Sequence, residues 1–383
     1  MKIYLVGGAV RDQLLELPVK ERDWVVVGAS EQQMLQAGFR HADTEFPVFL
    51  HPETGEEYAL ARTERKTGPG YRGFEVYAGP DVTLEQDLLR RDLTINAMAL
   101  DEAGQLIDVC DGREDLDAGL LRHITPAFVE DPVRLLRVAR FAAKLGQWGF
   151  RVAHGTYGLM KKMAASKDLL NLTRERVQAE LWKALAEPQP WRFFEVLHRC
   201  GALTRLIPEM AIVLGRQDSH QAEREADSVG GMVALRRVVE LTAEPRVRFA
   251  VAMFLAASQS DAPQRFVSGL RVERQAMELL LDLLELAPLQ SVRTDPERLL
   301  RTAKRLRLTT RPERLTACEL AGRALWPETM PELARGLRLA VDALSEVDVG
   351  ELQTHGLQGA ELGAALFTRQ LERLRARLIE QSC

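Results

Sequence analysis

Cysteine is scarce in this chain. The four present, Cys110, Cys200, Cys318 and Cys383, lie far apart and form no metal-ligand spacing, which excludes a cysteine-built metal module and suits a reduced cytosol. No stretch approaches the roughly 20 apolar residues needed to span a bilayer. The opening MKIYLVGGAVRD lacks the long apolar segment and small-residue cleavage site of a secretory signal. A cytoplasmic protein with no membrane partner is expected. Repeats of fixed period and low-complexity tracts are also missing, and neither sign of charge dominates: 51 Lys+Arg stand against 55 Asp+Glu, a net charge of −4. That balance argues against wholesale coating of nucleic acid.

What is present is an ordinary globular composition, 46% apolar and 28% charged over 383 residues, enough for two or three packed units. The basic residues are clumped. Residues 295–314 carry seven Lys/Arg (Arg298, Arg301, Lys304, Arg305, Arg307, Arg311 and Arg314) against three acids, and RQLERLRARL near the end adds Arg369, Arg373, Arg375 and Arg377. Such stripes fit a grip on a polyanion, and equally fit solvated helix faces.

The first hundred residues read as mixed α/β. Strands are expected at 3–6, 23–27, 46–50, 57–61, 98–100 and 106–109, with helices at 9–17 and 84–97 and a hairpin turn around Glu53-Thr54-Gly55. The glycine- and lysine-rich TERKTGPGY, 63–71, has no apolar period and reads as a mobile loop. From Asp131 onward the pattern is helical almost without interruption: VRLLRVARFAAKL repeats apolar residues at three- and four-residue spacing. Further helices are expected at 173–187, 191–200, 230–243, 246–258, 271–287, 296–307, 311–325, 331–345 and 359–380. The fold class is therefore α+β, a small α/β head before a long all-α body.

Four strings carry chemistry. Gly7-Gly8 sits where a strand turns into a helix, so backbone N–H groups can approach an anion, and Arg11 lies one turn further on. Glu21 and Asp23 flank Arg22 at the start of DWVVV. Alternate residues of an extended chain face one way, and paired carboxylates suit Mg²⁺ that also binds substrate phosphates. In RRDLTINAMA a helix would put Asp92 and Asn96 on one face, with Arg91 as a cation that Asp92 holds in place. In EDPVRLLRVARF, Asp131 is a plausible helix N-cap and Arg134, Arg137 and Arg140 form one stripe suited to phosphates or base edges. Each string alone has a plain structural reading: a tight turn, an acidic loop, a capped helix, surface arginines.

GGAVRD, ERDWVVV, RRDLTINAMA and EDPVRLLRVARF, in this order and spacing, resemble the class II CCA-adding tRNA nucleotidyltransferases of bacteria, within the polymerase-β-like superfamily. The likeness is dense over residues 1–215, through FFEVLHRCGAL and IPEM, and thins afterwards, where GLQGAELGAAL still resembles a family tail segment. The resemblance implies a catalytic head at 1–110, a helical neck at 111–215 and a helical body and tail at 216–383. It implies addition of C, C and A to tRNA 3′ ends from CTP and ATP with Mg²⁺. Gly8 and Arg11 would contact the triphosphate, Glu21 and Asp23 would hold the metal, and Arg91, Arg137 and Arg140 would bind nucleotide. Asp131 and Arg134 would act as a protein template for the incoming base, and 63–71 would be the family's flexible loop. Asp92 and Asn96 would support these. A monomer or weak homodimer is expected, and no general base is evident.

Two departures stand out. The family's usual Asp-x-Asp is Glu21-x-Asp23 here. In the related proteobacterial enzymes with an added phosphohydrolase domain, a His-Asp pair belongs where this chain has Phe254 and Leu255. The upstream histidine falls on Gly230, with His220 as a possible remnant. Apolar side chains do not ligate divalent metal, so phosphohydrolase activity is expected to be absent. The rival readings are an A-adding or CC-adding specialist, a poly(A) polymerase, and a catalytically silent tRNA-binding protein.

Overall fold

The computed structural model describes residues 1–42, 47–68, 73–215, 232–260, 262–263, 272–292, 294–347 and 358–380. His220 and Gly230 lie outside them, as does Phe46 of the expected strand. The chain forms two compact units, 1–206 and 207–383. Among the described residues no helix is long and apolar enough to cross a membrane.

The first unit is built on a seven-stranded mixed sheet of order β3-β4-β5-β2-β1-β8-β9. Its strands are β1 (Lys2–Val6), β2 (Asp23–Val27), β3 (Arg40–His41), β4 (Val48–Leu50), β5 (Glu57–Leu60), β8 (Met98–Leu100) and β9 (Leu106–Asp108). β2 runs antiparallel to β1 and parallel to β5, so Asp23 faces Val6 on one side and Glu57 on the other. The alternating apolar residues Val6, Val25, Ala97 and Ala99 pack into one core, and Val26, Met34, Phe49 and Leu60 into a second on the opposite face. The expected β4–β5 hairpin forms.

Two local expectations are corrected. TERK is strand β6 (Thr63–Lys66), paired antiparallel with β7 (Phe74–Tyr77) in its own small sheet. Its charged side chains hide the period because its bonds go to the hairpin partner and to ion pairs, not to an apolar core. The helix expected over 84–97 is broken. α3 spans Leu84–Leu89, Leu93 is extended, and Thr94–Asn96 is a 3₁₀ turn. Here the Asp92 carboxylate accepts from the Leu93 N–H, and the Thr94 N–H donates to the Arg122 carbonyl. Local and tertiary partners thus replace helical ones.

Beyond the sheet, α5 covers Val133–Leu145, the span read from the apolar period. It packs against α7 (Arg174–Ala186) and α8 (Trp191–Arg199). The second unit is helical throughout its described residues. Its central helix, Pro245–Ala257, is buried from Val247 to Ala257, and Phe254 meets Trp326 edge-on. Phe254 and Leu255 therefore sit in an apolar core. The basic stripe is largely neutralised within its own unit. Arg298, Arg301, Arg305, Arg311 and Arg314 pair with Asp295, Glu297, Glu285, Glu278 and Asp282, respectively.

Candidate active site

The first unit opens into one large cleft of about 1190 Å³, lined by β1, β2, the Gly7-Gly8 turn, the segment after α3, α5 and α7. α1 (Gly8–Leu14) begins directly after β1, with Gly7 at φ +73. A Cβ at Gly7 would stand 2.8 Å from an Arg91 guanidinium nitrogen, so a side chain here is excluded on both conformation and space. Glycine brings Arg91 against the turn.

Glu21 and Asp23 both line the cleft, and neither has a hydrogen-bond or ion-pair partner among the described residues. Burial pushes the Asp23 carboxyl above the ordinary range, Arg91 pulls it back, and Glu21 pushes it up again; the balance is upward. Two like charges left together without an ion-pair partner, with Arg91 acting on Asp23 only from a distance, are a donor set that a divalent cation would complete. Glu57, beside Asp23 in the parallel register, also lines the cleft. Among the described residues no three acid, histidine or cysteine side chains form a metal cage. A hard cation at Glu21 and Asp23 would take its remaining oxygens from phosphate and water.

The other acids of the cleft are mostly engaged. Arg11 is buried, donating to Asp12 at 2.8 and 2.7 Å and to Asn96 Oδ1 at 2.6 Å. Asn96 in turn donates to Asp92 at 3.0 Å, so the two residues meet as expected, though through a 3₁₀ turn rather than a helix face. Asp92 does not hold Arg91, which corrects the sequence expectation. It accepts from Arg137 Nε at 2.6 Å, while Arg91 is held by Asp87 at 3.1 Å. Burial alone would raise the Asp87 carboxyl, but Arg90 and Arg91 outweigh it and hold it low.

Asp131 sits just before α5. Its carboxylate accepts from the Val133 N–H at 3.1 Å and receives a two-pronged bond from Arg176 at 3.2 and 3.0 Å. Arg134 donates to the Arg90 carbonyl at 2.8 Å. Arg140 pairs with Glu180 at 2.7 Å, and Lys144 with Asp12 at 2.9 Å. One ring, Phe141, lies beneath the guanidinium groups of Arg11, Arg137 and Arg140 at 5.1, 5.7 and 4.6 Å. Its π-face helps three like charges converge. The structure thus gathers every residue singled out from the four strings around one cleft.

Arg176, Glu180 and Lys183 were missed. They stand four and three apart along α7 and all line the cleft. That charged spacing was a readable signal, but nothing local says which partner it faces. Lys144, Asp12 and Phe141 were likewise invisible as site residues.

The comparisons place this architecture. Residues 3–122 match the family model described as the poly A polymerase head domain, and 149–213 match one described as a probable RNA and SrmB- binding site of polymerase A. The chain is 45% identical to the multifunctional CCA protein of Thioalkalivibrio sulfidiphilus, over 98% of each chain. It is likewise 45% identical to the CCA-adding enzyme of Pseudomonas putida, over 98% of this chain and 99% of that one. Its fold is similar to that of the Bacillus stearothermophilus CCA-adding enzyme in complex with CTP (TM-score 0.66, 23% identity, 100% of this chain and 95% of that one). It is also similar to the Thermotoga maritima CCA-adding enzyme complexed with tRNA (TM-score 0.63, 22% identity, 99% and 90%).

Proposed function

This chain belongs to the bacterial class II CCA-adding enzymes, tRNA nucleotidyltransferases, and we propose that it extends tRNA 3′ ends by C, C and A at the Glu21–Asp23 cleft. The observation that carries the site is the pair of unpartnered carboxylates beside the diglycine turn, in a cleft whose other acids are mostly tied to cations.

In this reading the RNA 3′-hydroxyl attacks the α-phosphate of CTP or ATP in line, and pyrophosphate leaves. Mg²⁺ at Glu21 and Asp23 would supply charge neutralisation of the nucleophile and the leaving group. Glutamate for aspartate keeps a hard oxygen donor with one more methylene of reach. The Gly7-Gly8 turn lets backbone N–H groups approach the triphosphate, with Arg91 against it and the remaining Arg11 donors behind. Arg137 and Arg140, seated on Phe141, add positive charge along the nucleotide. Asp131 and Arg134 present an acceptor and a donor fork to the Watson–Crick edge of the base. Arg176 and the Val133 N–H hold the Asp131 carboxylate in place for that contact. The protein acts in the cytoplasm, as a monomer or weak homodimer. The packing of Phe254 and Leu255 in an apolar core supports a reading without phosphohydrolase activity.

The test is incubation of the full chain with tRNA ending before CCA, with CTP and ATP supplied separately and together. Ordered C, C, A addition is expected. CC-only or A-only addition identifies a specialist, a poly(A) product on generic RNA identifies a polymerase, and tRNA binding without incorporation identifies the silent reading.

A further inference from the structure

One end of the cleft carries groups for which the transfer step above has no use. Trp148 closes the 3₁₀ turn Gly146–Trp148 and lines the cleft, yet 47% of it is exposed. Lys20 and Lys183 line the same cleft, are exposed, and make no hydrogen bond or close ion pair among the described residues, the Glu187 carboxylate acting on Lys20 only at longer range. In this they differ from Arg137, Arg140, Lys144 and Arg176, each tied to an acid.

These three groups belong to one rim. Lys183 precedes Glu187 by one turn, and Glu187 is within electrostatic reach of Lys20. Two residues on, the Gln189 N–H donates to the Ala143 carbonyl at 3.1 Å. Gly146 packs so closely here that a Cβ would meet Arg192 at 2.4 Å and Gln189 at 2.7 Å. The turn bearing Trp148 is therefore pinned against the chain leaving α7. Lys20 is the residue before Glu21, so this rim borders the paired carboxylates.

We propose that Trp148, Lys20 and Lys183 seat the single-stranded 3′ end of the RNA acceptor, the indole stacking on its terminal base and the two ammonium groups meeting the flanking phosphates. The inference rests on the nucleotidyl-transfer reading and goes beyond it by naming the acceptor seat. Its chemistry suits the task. Three successive ends must be accepted, each closing on a different nucleotide, and stacking tolerates any base because every base has a π-face. Phosphate contacts are equally indifferent to sequence.

The test uses the full chain and tRNA lacking CCA. Trp148→Ala is expected to raise KM for tRNA roughly tenfold, the scale of one lost stacking contact, with KM for CTP unchanged and Trp148→Phe restoring most of the loss. Lys183→Ala should flatten the dependence of log Kd on log salt by about 0.7, one single-strand phosphate contact. A tRNA with 5-iodouridine at its 3′ end should photo-cross-link to the peptide bearing Trp148. A rise in KM for CTP instead, or an unchanged KM for tRNA with the cross-link elsewhere, overturns the seat. If the wild type incorporates no nucleotide, filter-binding of tRNA still decides the matter. Weaker binding by Trp148→Ala upholds the seat while the transfer reading falls, and equal binding overturns it.

Discussion

The two units of this chain use charge in opposite ways. In the first, ion pairs join residues far apart in sequence and partly shut from water: Arg137 with Asp92, Arg176 with Asp131, Lys144 with Asp12. In the second, the pairs lie mostly at the surface, some linking successive turns of one helix, as Arg274 does with Glu278 and Arg301 with Glu297, others joining neighbouring helices, as Arg305 does with Glu285 and Arg373 with Glu346. The interior of that unit is mostly apolar around the helix Pro245–Ala257, with Arg248 bonded to the Thr242 carbonyl and Asp282 to Arg314 among its buried polar groups. Surface pairs between neighbouring turns contribute a few tenths of a kcal/mol. Partly buried pairs bridging distant segments cost desolvation, and they persist where they orient groups for a ligand. Charge in the first unit therefore sets positions, whereas in the second it chiefly keeps the surface solvated.

Removing Asp23 sharpens this contrast most. Asp23→Ala should lower nucleotide incorporation about 10³-fold, the scale of several kcal/mol of lost transition-state charge stabilisation, while the melting temperature does not fall. The raised Asp23 carboxyl means the folded state disfavours its ionised form, a penalty that sets in as pH rises through the unfolded value near about 3.9 and is relieved by the substitution. A melting temperature that drops with activity would show Asp23 to be structural.

Asp92→Asn should behave the other way. Removing one partner of a buried pair costs about 3–5 kcal/mol, and because the Arg137 side chain is 36% exposed the expected loss is nearer ~2 kcal/mol. Burial alone would raise the Asp92 carboxyl, but Arg137, Asn96 and the Leu93 N–H hold it below the usual carboxylate range. Its contribution is therefore present above the unfolded value near about 3.9 and is lost as pH falls through the folded value. Urea midpoints between pH 7 and pH 3 should fall less steeply in the variant than in the wild type.

Asp131→Ala or Arg134→Ala should blur the choice between CTP and ATP about tenfold, within the range for one base-edge contact, with little change in tRNA affinity. Unchanged selectivity in competition assays would count against the base-reading role. The smallest effect belongs to the second unit. Arg274→Ala, which breaks an exposed pair with Glu278, should move stability by less than about 0.5 kcal/mol in urea titration. A larger loss would mean that the surface charges of the two units are not so different.

Features of short range were legible in the chain itself. α5 follows from an apolar residue at every third or fourth position, β2 from a short apolar β-rich run closed by glycine, and the diglycine turn from a backbone that needs positive φ at Gly7. The membership of the cleft was legible too, through four strings in register. Which acid meets which cation was not. Asp92 lies next to Arg91 in sequence, yet it bonds Arg137, while Arg91 turns to Asp87. Arg176 and Glu180 show their purpose only once α7 packs beside α5.

Local periodicity and turn chemistry are written into neighbouring residues, because backbone sterics and the apolar face of each element act over a few positions. Folding alone decided the partners of the buried charges, the broken helix after Leu89 and the strand at Thr63–Lys66. Each of these is settled by hydrogen bonds to another segment of the chain, from the neighbouring strand Phe74–Tyr77 to Arg137 on α5, whose arrival no local pattern encodes.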